Sequence, residues 1–449
     1  MFAAVAGMLA SCSSESLTGS DPKIEPTQDD RVPIEINVAS VQTKASTRGT
    51  GTAGDLASGT NIWNGERVKV LMFKKDDSGN PTFNYAKDGA DKNLYDPTIS
   101  LVTPMTVEGK SSGIAKEPTD PDNIGTGQTY VVKYYPAGVR SDFWGYYLGG
   151  YGYTPATPGA NDAAGDGSVK WYKSVDGNAA KLGAVTTDES EANFAATDFK
   201  IDGTHDLLVG KATSTNTDAF SAKAARAGVQ PDITFNHLLT RLTFKAEAGN
   251  AEAATSQVTV TGIKVHSMTT GKLIAAYKVT PESNIVWDSP VMTDGTTPVP
   301  ANDYTEYPAL TLKKRTSTTD RTITDLTPVP LTWTTEAVPE IIGEALLVAP
   351  QAKYYLEIDY TVSAQAARNW YKGGGGTDQY DPGSLTGTAT PVAMPTFKTT
   401  IPTAESSVTT FEAGKSYEIA FKLFGPQEIV ITTTLSAWTS GGTVPVTAD

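Results

Sequence analysis

Tyr354-Tyr355-Leu356-Glu357-Ile358-Asp359-Tyr360-Thr361-Val362 is the stretch that decides the fold class. Tyr354, Leu356, Ile358, Tyr360 and Val362 alternate with Glu357, Asp359 and Thr361, so the period is two. Side chains at that period point to opposite faces of an extended chain, which makes a strand with one buried face. The pattern recurs on both sides. Downstream, Tyr417, Ile419, Phe421 and Leu423 alternate, and after the turn at Gly425-Pro426 comes the apolar run 429–435. Upstream, Leu346-Leu347-Val348 precedes Pro350, and Val258 and Val260 are followed by Ile263 and Val265, a phase change at Gly262 that predicts a β-bulge there. A further apolar block covers 235–244. In the first half, 32–38 alternates, 68–73 is a buried-type run, 130–135 and 143–148 are aromatic strands, and Leu207-Leu208-Val209 is short and apolar. The best helical candidate is 216–228.

Gly-, Pro- and Asp-rich loops at 154–168, 282–303 and 372–389 separate these strands. Many strands, turn-rich links and few short helices predict an all-β chain of β-sandwiches. A length of 449 residues fits two domains better than one. The polar loop at 211–230 is the natural boundary, giving domains at 49–228 and 229–449.

Composition agrees. The chain is 39% hydrophobic, enough for a sizeable core, and only 19% charged, against about 25% in ordinary domains. The net charge of −14 repels phosphate backbones, so nucleic acid is not an expected partner. Cys12 is the only cysteine, which excludes an internal disulfide.

Residues 1–10 are small or apolar and too few to cross a bilayer, which takes about 20. Leu9-Ala10-Ser11-Cys12 resembles a bacterial lipobox, making 1–12 the end of a signal peptide and Cys12 the lipidated residue. Ser13-Ser14-Glu15 then reads as a polar tether. No Lys or Arg precedes Cys12, although signal peptides open with one.

Nothing in the chain reads as catalytic or cofactor-binding. The three histidines, His205, His237 and His266, lack metal-ligand spacing, and no GxSxG, P-loop or GxGxxG motif occurs. His237 lies in an apolar block and reads as a hydrogen-bonded structural residue. Trp144, Tyr146 and Tyr147, together with Trp370 and Tyr371 beside the 372–382 loop, are the candidate ligand aromatics, since aromatic faces can stack on sugars. Core packing at strand spacing is the competing reading for the first three.

Several blocks, in order, resemble the fimbrillin family of bacterial pilus subunits. They are the lipobox, Thr47-Arg48, Trp63-Asn64-Gly65-Glu66-Arg67-Val68, Phe143-Trp144-Gly145-Tyr146-Tyr147, Ile233 to Phe244, Leu346 to Gln351, Phe411 to Tyr417, and Ala437-Trp438. The resemblance implies two tandem transthyretin-like Greek-key β-sandwich domains, export as a lipoprotein anchored in outer-membrane lipid through Cys12, and removal of an N-terminal pro-segment by an arginine-specific protease. It also implies assembly by strand exchange with other pilin subunits, in a homo- or hetero-polymer. The pro-segment would be 13–48, with cleavage between Arg48 and Gly49; Arg31 is the second candidate, but a cut there leaves the strand attached. The removable strand would carry Ile34, Ile36 and Val38 on its buried face. A donor strand would lie in 439–449, with Val444 and Val446 at spacing two. The expected function is a structural subunit of a cell-surface fimbria that supports adhesion. The alternatives are a tip adhesin that binds a host or bacterial surface glycan or protein, and a basal anchor.

Overall fold

The computed structural model describes residues 32–37, 41–42, 67–75, 105–108, 114–115, 117–118, 130–131, 134–135, 140–148, 169–175, 178–187, 191–214, 220–291, 297–300, 303–315, 323–332, 339–363, 367, 391–404, 406, 408–425 and 428–436. Cys12, Arg31, Val38, Arg48, Gly49, Trp370, Tyr371, Val444 and Val446 lie outside the described residues.

The strands in chain order begin with β1 (Ile36–Asn37), β2 (Val41–Gln42), β3 (Arg67–Lys74), β4 (Met105–Glu108), β5 (Ile114–Ala115), β6 (Glu117–Pro118) and β7 (Tyr130–Val131). They continue with β8 (Ser141–Tyr147), β9 (Lys170–Val175), β10 (Asn178–Val185), β11 (Phe194–Lys200) and β12 (Leu208–Ala212). After the one-turn helix α1 (Ala222–Arg226) come β13 (Ile233–His237) and β14 (Thr240–Ala248). A second one-turn helix, α2 (Ala251–Thr255), leads to β15 (Thr259–His266), β16 (Thr270–Tyr277), β17 (Ile285–Trp287), β18 (Ala309–Thr311), β19 (Lys313–Arg315), β20 (Ile323–Asp325) and β21 (Val329–Pro330). The last are β22 (Glu340–Val348), β23 (Tyr354–Val362), β24 (Val392–Ala393), β25 (Phe397–Ile401), β26 (Ser416–Gly425) and β27 (Glu428–Ser436). The protein is therefore all-β, as its alternating sequence predicts.

The first sandwich pairs a six-stranded sheet, β2-β13-β12-β8-β3-β4, with a five-stranded sheet, β10-β9-β11-β16-β17. Leu71, Phe73, Trp144, Tyr146 and Val209 of the former share one core with Trp171, Ala195, Phe199, Leu273 and Ala275 of the latter. The second sandwich pairs a four-stranded sheet, β22-β14-β26-β27, with β18-β15-β23-β24, to which β21 and β25 attach. There Leu242, Phe244, Ile419 and Phe421 meet Val260, Ile263, Leu356 and Ile358 in the same continuous core. The alternation at 354–362 appears as strict burial of every second residue. The expected bulge is present: the β15–β23 register shifts between Val260 and Gly262.

Pairing runs across residue 228. Strand β13 joins β12, and β16 joins β11, so both sheets of the first sandwich include strands from beyond that point. The apolar block 235–244 is two strands that part at Leu238-Leu239, β13 staying in the six-stranded sheet and β14 entering the four-stranded one. The helical pattern at 216–228 shortens to α1, where the Ser221 Oγ accepts from Ala224 N–H at 3.2 Å as an N-cap and Gly228, at φ +81°, follows the end.

Candidate functional site

A sheet with water on one side shows alternating burial, yet all seven residues of β8 are buried. Asp142, Trp144 and Tyr146 face the sandwich core, so Ser141, Phe143, Gly145 and Tyr147 point outward and something must cover them. The outer face carries Val68, Val70 and Met72 of β3, Phe143 and Tyr147 of β8, Leu208 and Ala212 of β12, and Ile233 and Phe235 of β13. Two glycines shape it. Gly145 and Gly210 are cross-strand partners, Gly210 is also paired with Phe235, and a Cβ on Gly145 would come within 2.5 Å of the Phe235 ring. The ring lies over a hollow that only the two glycines leave open.

The cover comes from distant parts of the chain. Val32 and Ile36 are buried in this second cluster, Ile34 packs against it half-buried, and Pro33 and Glu35 between them are exposed. Tyr135, Phe220 and Ala225 complete it, Phe143 meeting Tyr135 and Phe220 edge-on at ring distances of 6.1 and 5.8 Å. Each fully buried aliphatic side chain contributes about 1.5–3 kcal/mol, so Val32 and Ile36 hold the segment chiefly through their side chains.

The backbone of 32–37 makes short, scattered contacts. The Val32 carbonyl accepts from Tyr135 N–H at 3.0 Å, and Pro33 bridges Tyr134. Glu35 N–H donates to Gln230 Oε1 at 3.3 Å, and that oxygen also accepts from the Tyr135 hydroxyl at 3.2 Å. Burial, then the Glu35 charge, push the Tyr135 hydroxyl well above its ordinary pKa, so it remains a donor throughout the neutral range. Strand β1 pairs only with the two residues of β5, and β2 pairs in parallel with Phe235 and Asn236 at the rim of the six-stranded sheet.

On the inner face, Asp142 is buried and faces two ammonium groups, Lys211 Nζ at 3.1 Å and Lys75 Nζ at 3.4 Å. Lys211 also sits 4.2 Å from the Trp144 ring centre, a cation–π contact, and Trp144 packs against Tyr277 at 4.5 Å. Burial, and then the Asp142 charge, push the Tyr277 hydroxyl up. At the end of β13, His237 Nδ1 hydrogen-bonds to Asp206 Oδ2 with both side chains fully buried, and Asp206 Oδ1 accepts from Leu207 N–H at 2.8 Å. His237 is thus a structural hydrogen-bonded residue, fixing the point where the chain changes sheets.

Trp144, Tyr146 and Tyr147 are 1%, 0% and 2% exposed. They are packing residues on the two faces of β8 and cannot stack on a sugar without unfolding the strand. Tyr135, Phe220 and Gln230 were not singled out from the sequence. Each lies in a loop or at a strand end, and only their convergence on 32–36 reveals a role. Among the described residues, no three His, Cys, Asp or Glu side chains converge to hold a metal ion, and no helix is long and apolar enough to cross a membrane.

No family model and no curated protein matches the chain. Among solved structures, it is similar to a fimbrial protein from Bacteroides vulgatus, at 11% identity and a TM-score of 0.40, over 91% of this chain and 100% of that one. It is also similar to a candidate cell adhesion protein from Parabacteroides distasonis, at 9% identity and a TM-score of 0.39, over 94% and 99% of the two chains. A third is the tip fimbrial protein Mfa3 from Porphyromonas gingivalis with C-terminal truncation, at 9% identity and a TM-score of 0.26, over 90% and 100%. Likeness at this level transfers no function.

Proposed function

We propose that the protein is a structural subunit of a cell-surface fimbria, exported as a lipoprotein through Cys12 and assembled when cleavage after Arg48 allows residues 32–36 to leave the outer face of the six-stranded sheet. The observation that carries this reading is the mode of attachment. Val32 and Ile36 close an apolar face, while the backbone around them is held by isolated contacts and two-residue ladders. Loss of that segment uncovers Val68, Val70, Phe143 and Phe235 and frees the rim of β13. Apolar side-chain seats beside an unpaired strand edge recruit another extended chain. The ordered blocks along the sequence support the same reading, and Val444 and Val446 belong to the segment proposed to fill the vacated face on a neighbouring subunit. The aromatics first considered as ligand platforms are buried, so no observation favours a glycan-binding tip role.

The test is the N-terminal residue of the protein recovered from intact cells, together with its behaviour after arginine-specific cleavage in solution. The expected results are a start at Gly49 and oligomers that survive mild denaturant. A lipid-modified start at Cys12 throughout the surface population, with a monomer persisting after cleavage, contradicts the proposal.

A further inference from the structure

We infer that Gln230 and Tyr135 form a main-chain clamp that selects which segment can occupy the outer face, and that the segment fitting it on another copy of this chain is Val444-Pro445-Val446-Thr447-Ala448. This rests on the reading above that residues 32–36 leave that face.

The clamp reads backbone, not side chains. Tyr135 N–H donates to the Val32 carbonyl, and Gln230 Oε1, held by the Tyr135 hydroxyl, accepts from Glu35 N–H. Pro33 stands between these two contacts, opposite Tyr134. The bonds there use the carbonyl before it and the amide two residues after it, so its missing N–H leaves no partner unsatisfied. The clamp therefore accepts a proline at the second position of its occupant, fixed in the extended φ range. The apolar face demands large aliphatic groups at the first and fifth positions, where Val32 and Ile36 are buried, and a smaller contribution at the third, where Ile34 is half-buried. Position four points to solvent.

The resulting pattern is Val-Pro-aliphatic-polar-apolar. The chain contains five Val-Pro pairs, beginning at Val32, Val299, Val329, Val338 and Val444. Val299 is followed by Ala301-Asn302-Asp303, placing a carboxylate in the fifth seat, and Val338 by Glu340 in the third. Val329-Pro330-Leu331-Thr332-Trp333 satisfies the pattern, but β21 is already paired with β15 and Leu331 is buried in the main core. Residues 444–448 remain: Val, Pro, Val, Thr and Ala in seats one to five. Ala448 underfills the seat of Ile36, while Thr447 replaces the Glu35 carboxylate with a neutral hydroxyl.

That last difference supplies the test. The full chain is cleaved after Arg48, and release of the N-terminal fragment is followed by gel filtration during titration with synthetic peptides. One peptide carries residues 30–38, one carries 439–449, and one carries 439–449 with Val444→Asp and Ala448→Asp. Both natural peptides are expected to displace the fragment and the doubly substituted one is not. Gln230→Ala removes one net hydrogen bond and should weaken both natural peptides by about three- to tenfold. Gln230→Glu restores the acceptor but sets a charge beside Glu35. It should retain the 439–449 peptide and lose the 30–38 peptide, a discrimination that general damage to the fold does not produce. If the 30–38 peptide rebinds and the 439–449 peptide does not, the tail assignment is overturned while the exchange reading survives. If Gln230→Ala and Gln230→Glu bind both peptides as the parent does, the clamp is overturned. If no peptide, including 30–38 in excess, releases the fragment, the underlying reading falls with it.

Discussion

Residues 32–37 and 354–362 both alternate apolar and polar, yet the molecule treats them differently. Strand β23 pairs along one edge with β15 from Thr259 to His266 and along the other with β25 and β24, and its inward side chains are essentially inaccessible. The 32–37 segment has the same kind of inward residues but leans on Tyr135, Gln230 and two residues of β5. The difference is between side-chain burial with a continuous ladder and side-chain burial without one. The first kind of segment opens only when the sandwich does. The second can open alone, because few backbone bonds must break together.

The largest expected effect sharpens this contrast. Ile358→Ala should lower global stability by about 2–5 kcal/mol, read as a shift of the urea midpoint of the whole cooperative transition. Ile36→Ala removes similar bulk, but should mainly speed cleavage in the 41–61 region and raise apolar-dye binding while the midpoint moves far less. Equal midpoint shifts for the two would remove the distinction.

Gly145→Ala comes next, at about 1–3 kcal/mol, because the added methyl meets the Phe235 ring at 2.5 Å. Adding Phe235→Leu should recover part of the loss, and a double-mutant cycle showing no coupling between the two would contradict the packing described. Asp142→Ala should cost about 1–3 kcal/mol, since it leaves Lys75 and Lys211 facing each other. Adding Lys211→Met should relieve it in thermal melts; if the double variant is less stable than Asp142→Ala alone, the charge account is wrong.

The smallest effect is a pH dependence at Asp202. Burial works to raise its pKa, but the hydrogen bond and charge of His205 and the Thr204 bonds outweigh this and hold it at about 2, against 3.8 ordinarily. A carboxyl lowered on folding stabilises above its unfolded pKa and loses that contribution as pH falls from about 3.8 toward 2. The effect should be small because the side chain is half exposed. Asp202→Asn should flatten the stability curve in that window and leave it unchanged at pH 6; an unaltered acid limb would show that Asp202 does not contribute.

The C-terminal sandwich was legible because its strands keep one wet face, so period two survives at 354–362 and 417–423, and Gly262 marks the phase change. The covered face was only half legible. The alternation from Val32 to Ile36 is visible, but residues 141–147 are buried on both sides and read as an undifferentiated aromatic run. That is why Trp144, Tyr146 and Tyr147 invited a ligand reading. The switch between sheets at Leu238-Leu239 was hidden for a similar reason, since two leucines continue the apolar block straight through it. Gln230 and Tyr135 carry no pattern of their own, and their role exists only where segments some 200 positions apart meet.

Hydrogen exchange in the intact chain tests the central claim most directly, because it requires no cleavage and no partner. The amides of Glu35 to Asn37 should exchange through an opening well below the global unfolding free energy, while those of 354–362 exchange only with global unfolding. Protection of 35–37 equal to that of 354–362, falling in step with it as denaturant is added, would mean that the segment is an inseparable part of the sandwich and not a cover that can be removed.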